Sequence, residues 1–132
     1  MYTIEEHLKQ CKFDKQYKNL VKRLKNKTVI IYGTGIMFET INSNYDLSKL
    51  NIIGVSDIKY YLGQEGDLDF GYKIIPAESI KNYDVDAILL GVQKYDDILE
   101  NFYEDFLEDK KVKILPLVKI PFLKKILDSI FT

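Results

Sequence analysis

Residues 28–38, TVIIYGTGIMF, join a β-branched apolar run to a Gly-x-Gly turn and then to a second apolar segment. Such a run is typical of a buried parallel strand, and the turn is typical of a strand that leads directly into a helix. Glycines at this kind of turn let the main chain approach a ligand, and the first helical amides carry partial positive charge. We therefore predict that the turn binds the phosphates of a nucleotide. The predicted contacts are Gly33, Thr34, Gly35 and Ile36.

The match to the full dinucleotide fingerprint, Gly-x-Gly-x-x-Gly, is partial. Phe38 stands where the third glycine, which permits close packing of the helix on the strand, is expected. A side chain of that size either pushes the helix away from the sheet or needs a pocket of its own. A tight strand-to-helix turn without any ligand is the alternative interpretation.

A second apolar segment follows at the distance that a nucleotide-binding unit requires. Residues 51–57, NIIGVSD, predict a strand that ends at Asp57, which lies 24 positions after Gly33 (57 − 33). In dinucleotide-binding folds an acid at the end of the second strand holds the ribose hydroxyls. We therefore expect Asp57 to take part in binding, although an acid is also a common turn former.

Periodicity of the apolar residues predicts the other elements. A helical stripe begins at a capping box formed by Thr3 and Glu6 and weakens near Phe13 and Asp14, where the helix could be broken. Residues 35–45 form a helix after the Gly-x-Gly turn. The remaining predicted elements are a polar, mobile loop over 59–71, a short strand and helical turn over 71–80, a buried strand over 86–92, a helix over 95–109, an edge strand over 111–116 and an amphipathic helix within 117–132.

This alternation predicts a three-layer α/β fold of the Rossmann-like kind, a mostly parallel sheet with helices on both faces. Right-handed crossovers would place strand 28–32 between strands 51–56 and 86–91. Ligands bind at the crevice where the strand order reverses, which lies between the first strand and strand 86–91. Gly91 and Gln93 fall at the rim of that crevice, and we include both in the predicted site.

Length and composition predict one globular domain. The chain has 132 residues, 46% of them hydrophobic and 30% charged, and we divide it into a leading helix (1–27), an α/β core (28–116) and a C-terminal helix (117–132). One cysteine and the lack of a basic-then-apolar leader predict a cytoplasmic protein. We expect no metal site, because the chain has one histidine and one cysteine.

The net charge of −1 hides a strong segregation. Residues 1–27 carry eight bases and three acids, residues 28–110 six bases and sixteen acids, and residues 111–132 five bases and one acid. The basic ends could contact an acidic partner, lie against the acidic middle of the same chain or face water. Because the pI is about 5.9 and no aromatic-basic stripe lies in a recognisable module, we expect no nucleic-acid partner. A homodimer or a partner enzyme could use the terminal helices, and we do not expect 117–132 to bind a membrane surface.

Taken together, these segments resemble the small Rossmann-like domains of bacterial nucleotide-sugar enzymes. These are the leading domain of polysaccharide-biosynthesis dehydratases and the N-terminal domain of sugar O-acyltransferases. The resemblance covers roughly residues 27–116 and rests on the segments 29–35, 53–57, 71–76 and 84–88. It implies a domain that cradles NAD(H) or a UDP-sugar in glycan biosynthesis. The family's catalytic domain has no counterpart in this sequence.

No catalytic constellation is visible. The one Tyr-x-x-x-Lys pattern, at Tyr45 and Lys49, falls too early in the chain for the proton-shuttling pair of short-chain dehydrogenases. Three hypotheses remain: a nucleotide-binding module that is not catalytic alone, a subunit of an NAD-dependent nucleotide-sugar oxidoreductase or epimerase completed by a partner, and an interaction domain that has lost its ligand, with Phe38 in the pocket.

Overall fold

The computed structural model describes residues 3–92 and 112–119. Its first element is α1, Ile4–Gln10, which begins at the predicted capping box: Glu6 N–H donates to Thr3 Oγ1 at 3.1 Å. The leading helix is not continuous. Lys12 adopts a left-handed conformation with φ of 56°, and α2, Phe13–Arg23, begins directly after it.

A four-stranded sheet, parallel throughout, forms the centre of the molecule, so the predicted α/β Rossmann-like fold is confirmed. The strand order is β2-β1-β5-β6, with the first strand between its two predicted neighbours. A single helix, α3, follows β1 directly. The bounds of these elements are Thr28–Tyr32 for β1, Ile36–Asn44 for α3, Asn51–Ser56 for β2, Ala87–Leu90 for β5 and Lys113–Pro116 for β6.

The segment between β2 and β5 has more structure than a mobile loop. It contains a 3-10 turn, Leu62–Gln64, and a short antiparallel hairpin of β3, Leu68–Asp69, and β4, Tyr72–Lys73. Ile74 then bridges to Val55, so the end of the hairpin runs beside β2. A second 3-10 turn, Ala77–Asn82, leads to β5.

The sheet separates two apolar clusters. One packs α1, α2 and α3 on the sheet, and its fully buried members include Leu8, Phe13, Phe38 and Ile41. The other, on the opposite face, joins alternate residues of β1 and β5 to Ile75 and Ile80. The predicted helix over 95–109, Gln93 and the part of the C-terminal helix beyond residue 119 lie outside the described residues.

Register brings the ends of three strands to one edge. Tyr32, the last residue of β1, pairs with Ser56 of β2 and with Leu90 of β5. The Gly-x-Gly turn, Asp57 and Gly91 each follow one of these residues. Because the strands are parallel, all the predicted site residues within the described part of the chain lie at this carboxyl edge of the sheet.

Candidate functional site: the turn between the first strand and its helix

The two glycines of the turn are required for different reasons. Gly33 has φ of +101°, and its N–H donates to Ser56 O at 2.9 Å. A Cβ there would lie 2.5 Å from Val92 Cγ1, so no other residue fits without strain. Gly35, the N-cap of α3, has φ of −82°, and a Cβ at this position would meet nothing within 4 Å. The space in front of Gly35 is therefore open.

Gly91 performs the spacing role that the fingerprint assigns to its third glycine. Its N–H donates to Tyr32 O at 2.8 Å. A Cβ on Gly91 would lie 2.5 Å from Gly33 O and 3.2 Å from Phe38 Cβ. The close approach of helix to strand is thus permitted by a glycine directly after β5, which is why α3 can carry a phenylalanine at this point.

Phe38 occupies a pocket of its own, which is the second of the two predicted outcomes; the first was a helix pushed away from the sheet. The side chain is fully buried, and its ring meets Phe70 edge-on, with 5.3 Å between the centroids. It also lies against Tyr72, at 6.5 Å. The ring therefore connects α3 to the β3–β4 hairpin.

An internal carboxylate occupies part of the turn. Thr34 N–H donates to Asp57 Oδ2 at 2.7 Å, and Lys59 N–H donates to Asp57 Oδ1 at 3.1 Å. The amides of Gly33 and Thr34, two of the predicted contacts, therefore already donate to acceptors within the protein. In the described part of the chain, the amides of Gly35, Ile36 and Met37 donate to no acceptor. The N-terminus of α3 keeps its capacity for an anion.

Tyr60 links the turn to the β3–β4 hairpin. Its side chain is 7% exposed, and its hydroxyl lies 3.0 Å from Thr34 Oγ1 and donates to Asp69 Oδ2 at 2.5 Å. Burial, and then the hydrogen bond to Asp69, raise the pKa of Tyr60 well above its ordinary value. The hydroxyl therefore stays protonated and holds the hairpin against the turn.

Lys59 adds a positive charge beside the same turn. Its Nζ donates to Thr34 O at 3.0 Å and lies over the rings of Tyr60 and Phe70, 5.4 and 5.8 Å from their centroids. Asp57, Lys59 and Tyr60 thus contact Thr34, and Tyr60 connects it to Asp69, which is 35 residues away in sequence (69 − 34). The segment predicted to be a mobile loop is held to the turn by these contacts.

Asp57 retains acceptor capacity after these contacts are counted. A carboxylate offers about four lone-pair positions. Two are used by the amides of Thr34 and Lys59. The Thr34 hydroxyl lies closer to Tyr60 (3.0 Å) than to Asp57 (3.3 Å), and Tyr60 gives its own proton to Asp69. With the Thr34 proton directed to Tyr60, about two positions on Asp57 remain for hydroxyl donors.

Sequence reasoning missed Lys59, Tyr60, Asp69 and Ser56. Ser56 is fully buried at the end of β2, and its hydroxyl has no hydrogen-bond partner among the residues described. Tyr32 lies beside it in the sheet, and burial, with Asp57 nearby, raises the pKa of Tyr32. The pattern Asp-x-Lys-Tyr directly after a strand could have indicated Lys59 and Tyr60, because residues that closely follow the end of a strand stay near it.

The fold and this edge of the sheet define a Rossmann-like α/β domain. Residues 25–116 match the family model described as "C2185-like, N-terminal". The chain therefore belongs to the C2185-like N-terminal family. This assignment does not extend to the dehydratase or acyltransferase domains that the motifs resemble. No curated protein matches the sequence.

Solved structures similar to this chain include three of RSP, a Rex-family repressor. The complex of RSP with β-NAD⁺ and operator DNA has a TM-score of 0.49, and the complex with β-NADH and a third structure of the repressor have 0.46 each. All three are 18% identical to this chain and cover 89% of it. The chain spans 62–65% of the length of those repressor chains. NAD and DNA are ligands of RSP.

The expectation of no nucleic-acid partner is wrong, because it is contradicted by a similar structure that contains operator DNA. The physical reason for the error is that a net charge of −1 averages over a basic start, an acidic middle and a basic end. A near-neutral total therefore excludes nothing about one face of the molecule.

Two further properties concern the described residues alone. Among them, no group of three or more His, Cys, Asp or Glu side chains is arranged to hold a metal ion. Within the same part of the chain, each helix is too short or too polar to cross a bilayer.

Proposed function

We propose that this chain is a nucleotide-binding module whose ligand is NAD(H). The observation that carries the proposal is the combination found at one edge of the sheet. Three helix N-terminal amides, those of Gly35, Ile36 and Met37, have no acceptor among the described residues, and they lie beside a carboxylate with about two free acceptor positions. The first feature suits a phosphate, and the second suits a ribose diol.

Each proposed contact has a physical basis. The open space before Gly35 lets a diphosphate approach the amides of Gly35 and Ile36. Asp57 is fixed through Thr34 and Lys59, so it would meet ribose hydroxyls without reorganising. Gly33 and Gly91 maintain the shape of the turn. Gln93 belongs to the same proposal, although it lies outside the described residues.

Asp57 favours NAD(H) over NADP(H), because a ribose phosphate beside a carboxylate is repelled. A UDP-sugar also presents a free ribose diol, so it is the second candidate ligand. Its support, like that for a role in bacterial glycan biosynthesis with a partner enzyme, is the resemblance of segments 29–35 and 53–57 to nucleotide-sugar enzymes. In that role the chain binds and presents the nucleotide, and the partner supplies the catalytic residues.

Calorimetric titration of the purified chain tests the proposal, with NAD⁺, NADH, NADP⁺ and UDP-N-acetylglucosamine as ligands. We expect binding of NAD⁺ or NADH and at least tenfold weaker binding of NADP⁺. Tighter binding of the UDP-sugar would select the second candidate. Failure of all four to bind would refute the proposal and favour an interaction domain without a ligand.

Two variants assign the binding to this edge of the sheet. Gly35→Ser places a hydroxyl in the open space and should weaken NAD binding at least tenfold, because serine is itself a good N-cap and competes for the amides. Asp57→Asn should weaken NAD binding and reduce the ratio of the affinity for NAD⁺ to the affinity for NADP⁺. Asp84→Asn is the matched control, since it makes the same chemical change at an exposed position at the opposite end of the sheet, and it should bind like the wild type.

A further inference from the structure

A second surface, formed by α2 and the neighbouring part of β6, is strongly basic. We call it the basic face. It combines the exposed side of α2, the residues that follow α2, and two positions on or next to β6. Its eight cations, all exposed, are Lys15, Lys18, Lys22, Arg23, Lys25, Lys27, Lys113 and Lys119.

The cations form a continuous surface. Lys15, Lys18 and Lys22 lie along one side of α2 and span about 10 Å at 1.5 Å per residue. Arg23 lines two adjoining clefts. One, of about 160 Å³, also contains Lys119 from the end of β6, and the other, of about 130 Å³, contains Lys27 and Lys113. Arg23 thus joins the stripe on α2 to the basic residues of the sheet.

Among the residues that the structure describes, the Asp86 carboxylate acts on this face: the backbone hydrogen bond from Thr28 and, more weakly, the nearby charge of Lys27 lower the pKa of this carboxyl. Within residues 3–92 and 112–119, none of the eight cations forms an ion pair with a carboxylate. Asp86 is the acid lining the smaller cleft, and its Oδ2 accepts hydrogen bonds from the N–H and the hydroxyl of Thr28, at 2.8 and 3.2 Å.

The composition of the basic face distinguishes between possible polyanions. Protein interfaces have an apolar or aromatic centre, and membrane-surface helices insert apolar side chains. The exposed residues of α2 and its C-terminal extension are all polar, since Leu20 and Val21 pack on the core. Among the described residues, the exposed large apolar side chains are elsewhere, at Ile36, Ile58, Tyr61, Leu62 and Leu68. Interfaces with nucleic acid backbones are polar and strongly positive.

We infer that the basic face binds the phosphate backbone of a nucleic acid. Lys27 and Lys113 lie at the amino ends of β1 and β6, whereas the Gly-x-Gly turn lies at the carboxyl end of β1, about 16 Å away for a five-residue strand. None of the eight cations belongs to the Gly-x-Gly turn. Contacts to phosphates carry no sequence information. This face therefore contributes to the affinity for nucleic acid and to its orientation on the protein, and the binding is independent of base sequence.

Fluorescence anisotropy measures this binding, with a labelled 20-base-pair duplex DNA and a single-stranded 20-nucleotide RNA as probes, between 50 and 200 mM KCl. We expect micromolar binding of at least one probe at 50 mM, with an affinity that falls linearly on logarithmic axes as salt rises. For duplex DNA each phosphate contact contributes about 0.9 to that slope.

The test variant is Lys18→Gln/Lys22→Gln/Arg23→Gln, which keeps good helix formers at three exposed positions. Removing three contacts should lower the slope for DNA by about 2.7 and weaken binding at 100 mM at least tenfold. The matched control is Lys9→Gln/Lys49→Gln/Lys73→Gln, which makes the same charge change at exposed lysines elsewhere and should alter affinity less than threefold. Thermal unfolding of both variants checks that each remains folded.

Three results would overturn the inference. The first is the absence of binding of both probes at 50 mM KCl. The second is an equal loss of affinity in the two triple variants. The third is tighter binding, at equal salt, of vesicles containing phosphatidylserine or of poly-glutamate, which would make the partner a membrane or an acidic protein. Each readout is independent of NAD, so the inference can fail while the proposed nucleotide site stands.

Discussion

Replacement of Gly91 by alanine tests how the turn is assembled. A Cβ at this position would lie 2.5 Å from Gly33 O and 3.2 Å from Phe38 Cβ. The first contact is with a main-chain atom of the turn that follows β1, so no side-chain rotation relieves it. The two strands must separate by about 0.5 Å to reach even 3.0 Å, the shortest distance that a real Cβ tolerates.

The expected cost follows from that displacement. Overpacking of this kind costs about 1–3 kcal/mol. The same shift weakens the hydrogen bond from Gly91 N–H to Tyr32 O, which is worth about 1 kcal/mol. We expect Gly91→Ala to lower the free energy of unfolding by about 2–4 kcal/mol. For 132 residues the midpoint falls by about 3.6 °C per kcal/mol, so the melting temperature should fall by about 7–14 °C.

Gly35→Ala is the matched control, because it adds the same methyl group to the same turn. The φ of −82° at Gly35 suits alanine, and the added Cβ meets nothing within 4 Å. Alanine is a poorer N-cap than glycine, and this alone should lower the free energy of unfolding, by less than about 1 kcal/mol. Urea unfolding followed by circular dichroism compares the two variants. If Gly91→Ala lies within about 0.5 kcal/mol of the wild type, or if Gly35→Ala loses as much, the assembly described for this turn is incorrect.

Phe38→Ala should cost about 3–5 kcal/mol and expose segment 59–71 to proteolysis, because the ring holds the hairpin; unchanged cleavage would contradict that role. The raised pKa of Tyr60 means that the unfolded chain loses this proton first, so its contribution is present below about pH 10 and declines above it. As the pH rises from 9 to about 11, the free energy of unfolding from urea titrations should therefore fall less for Tyr60→Phe than for the wild type. An equal fall in both proteins would refute the role given to the Tyr60 hydroxyl. The backbone hydrogen bond from Thr28 lowers the pKa of Asp86, so its contribution is present above about pH 4 and lost on further acidification. Asp86→Asn should be less stable than the wild type at pH 7, with a difference that shrinks below pH 4; a difference that grows on acidification would exclude this cause.

The sequence predicts the centre of the fold well, because its signals are local. A β-branched run before Gly-x-Gly specifies strand, turn and helix over residues 28–38, and the observed bounds of β1 and α3 agree. The strand order follows from right-handed crossovers alone. The interruption of the leading helix at Lys12 carries no glycine or proline signal, so only the general weakening of the apolar stripe near Phe13 indicated it.

The candidate site is predicted less completely, because its contacts are non-local. Gly33, Gly35, Asp57 and Gly91 meet at one edge, as the spacing of the strands requires. The pairing of Thr34 with Tyr60, 26 residues apart, depends on how the intervening segment folds back. No periodicity in segment 59–71 encodes that return, which is why a mobile loop was expected there.

The Asp57 carboxylate beside the turn also affects which anions can bind there. A bare phosphate near Asp57 meets a like charge, and two unit charges 4 Å apart repel by about 1–4 kcal/mol near a protein surface. A nucleoside diphosphate brings hydroxyl groups that the same carboxylate can accept, which offsets this repulsion. If the proposed nucleotide binds here, the turn discriminates against inorganic phosphate by means of Asp57, whose carboxylate also accepts the hydrogen bond from Thr34 N–H.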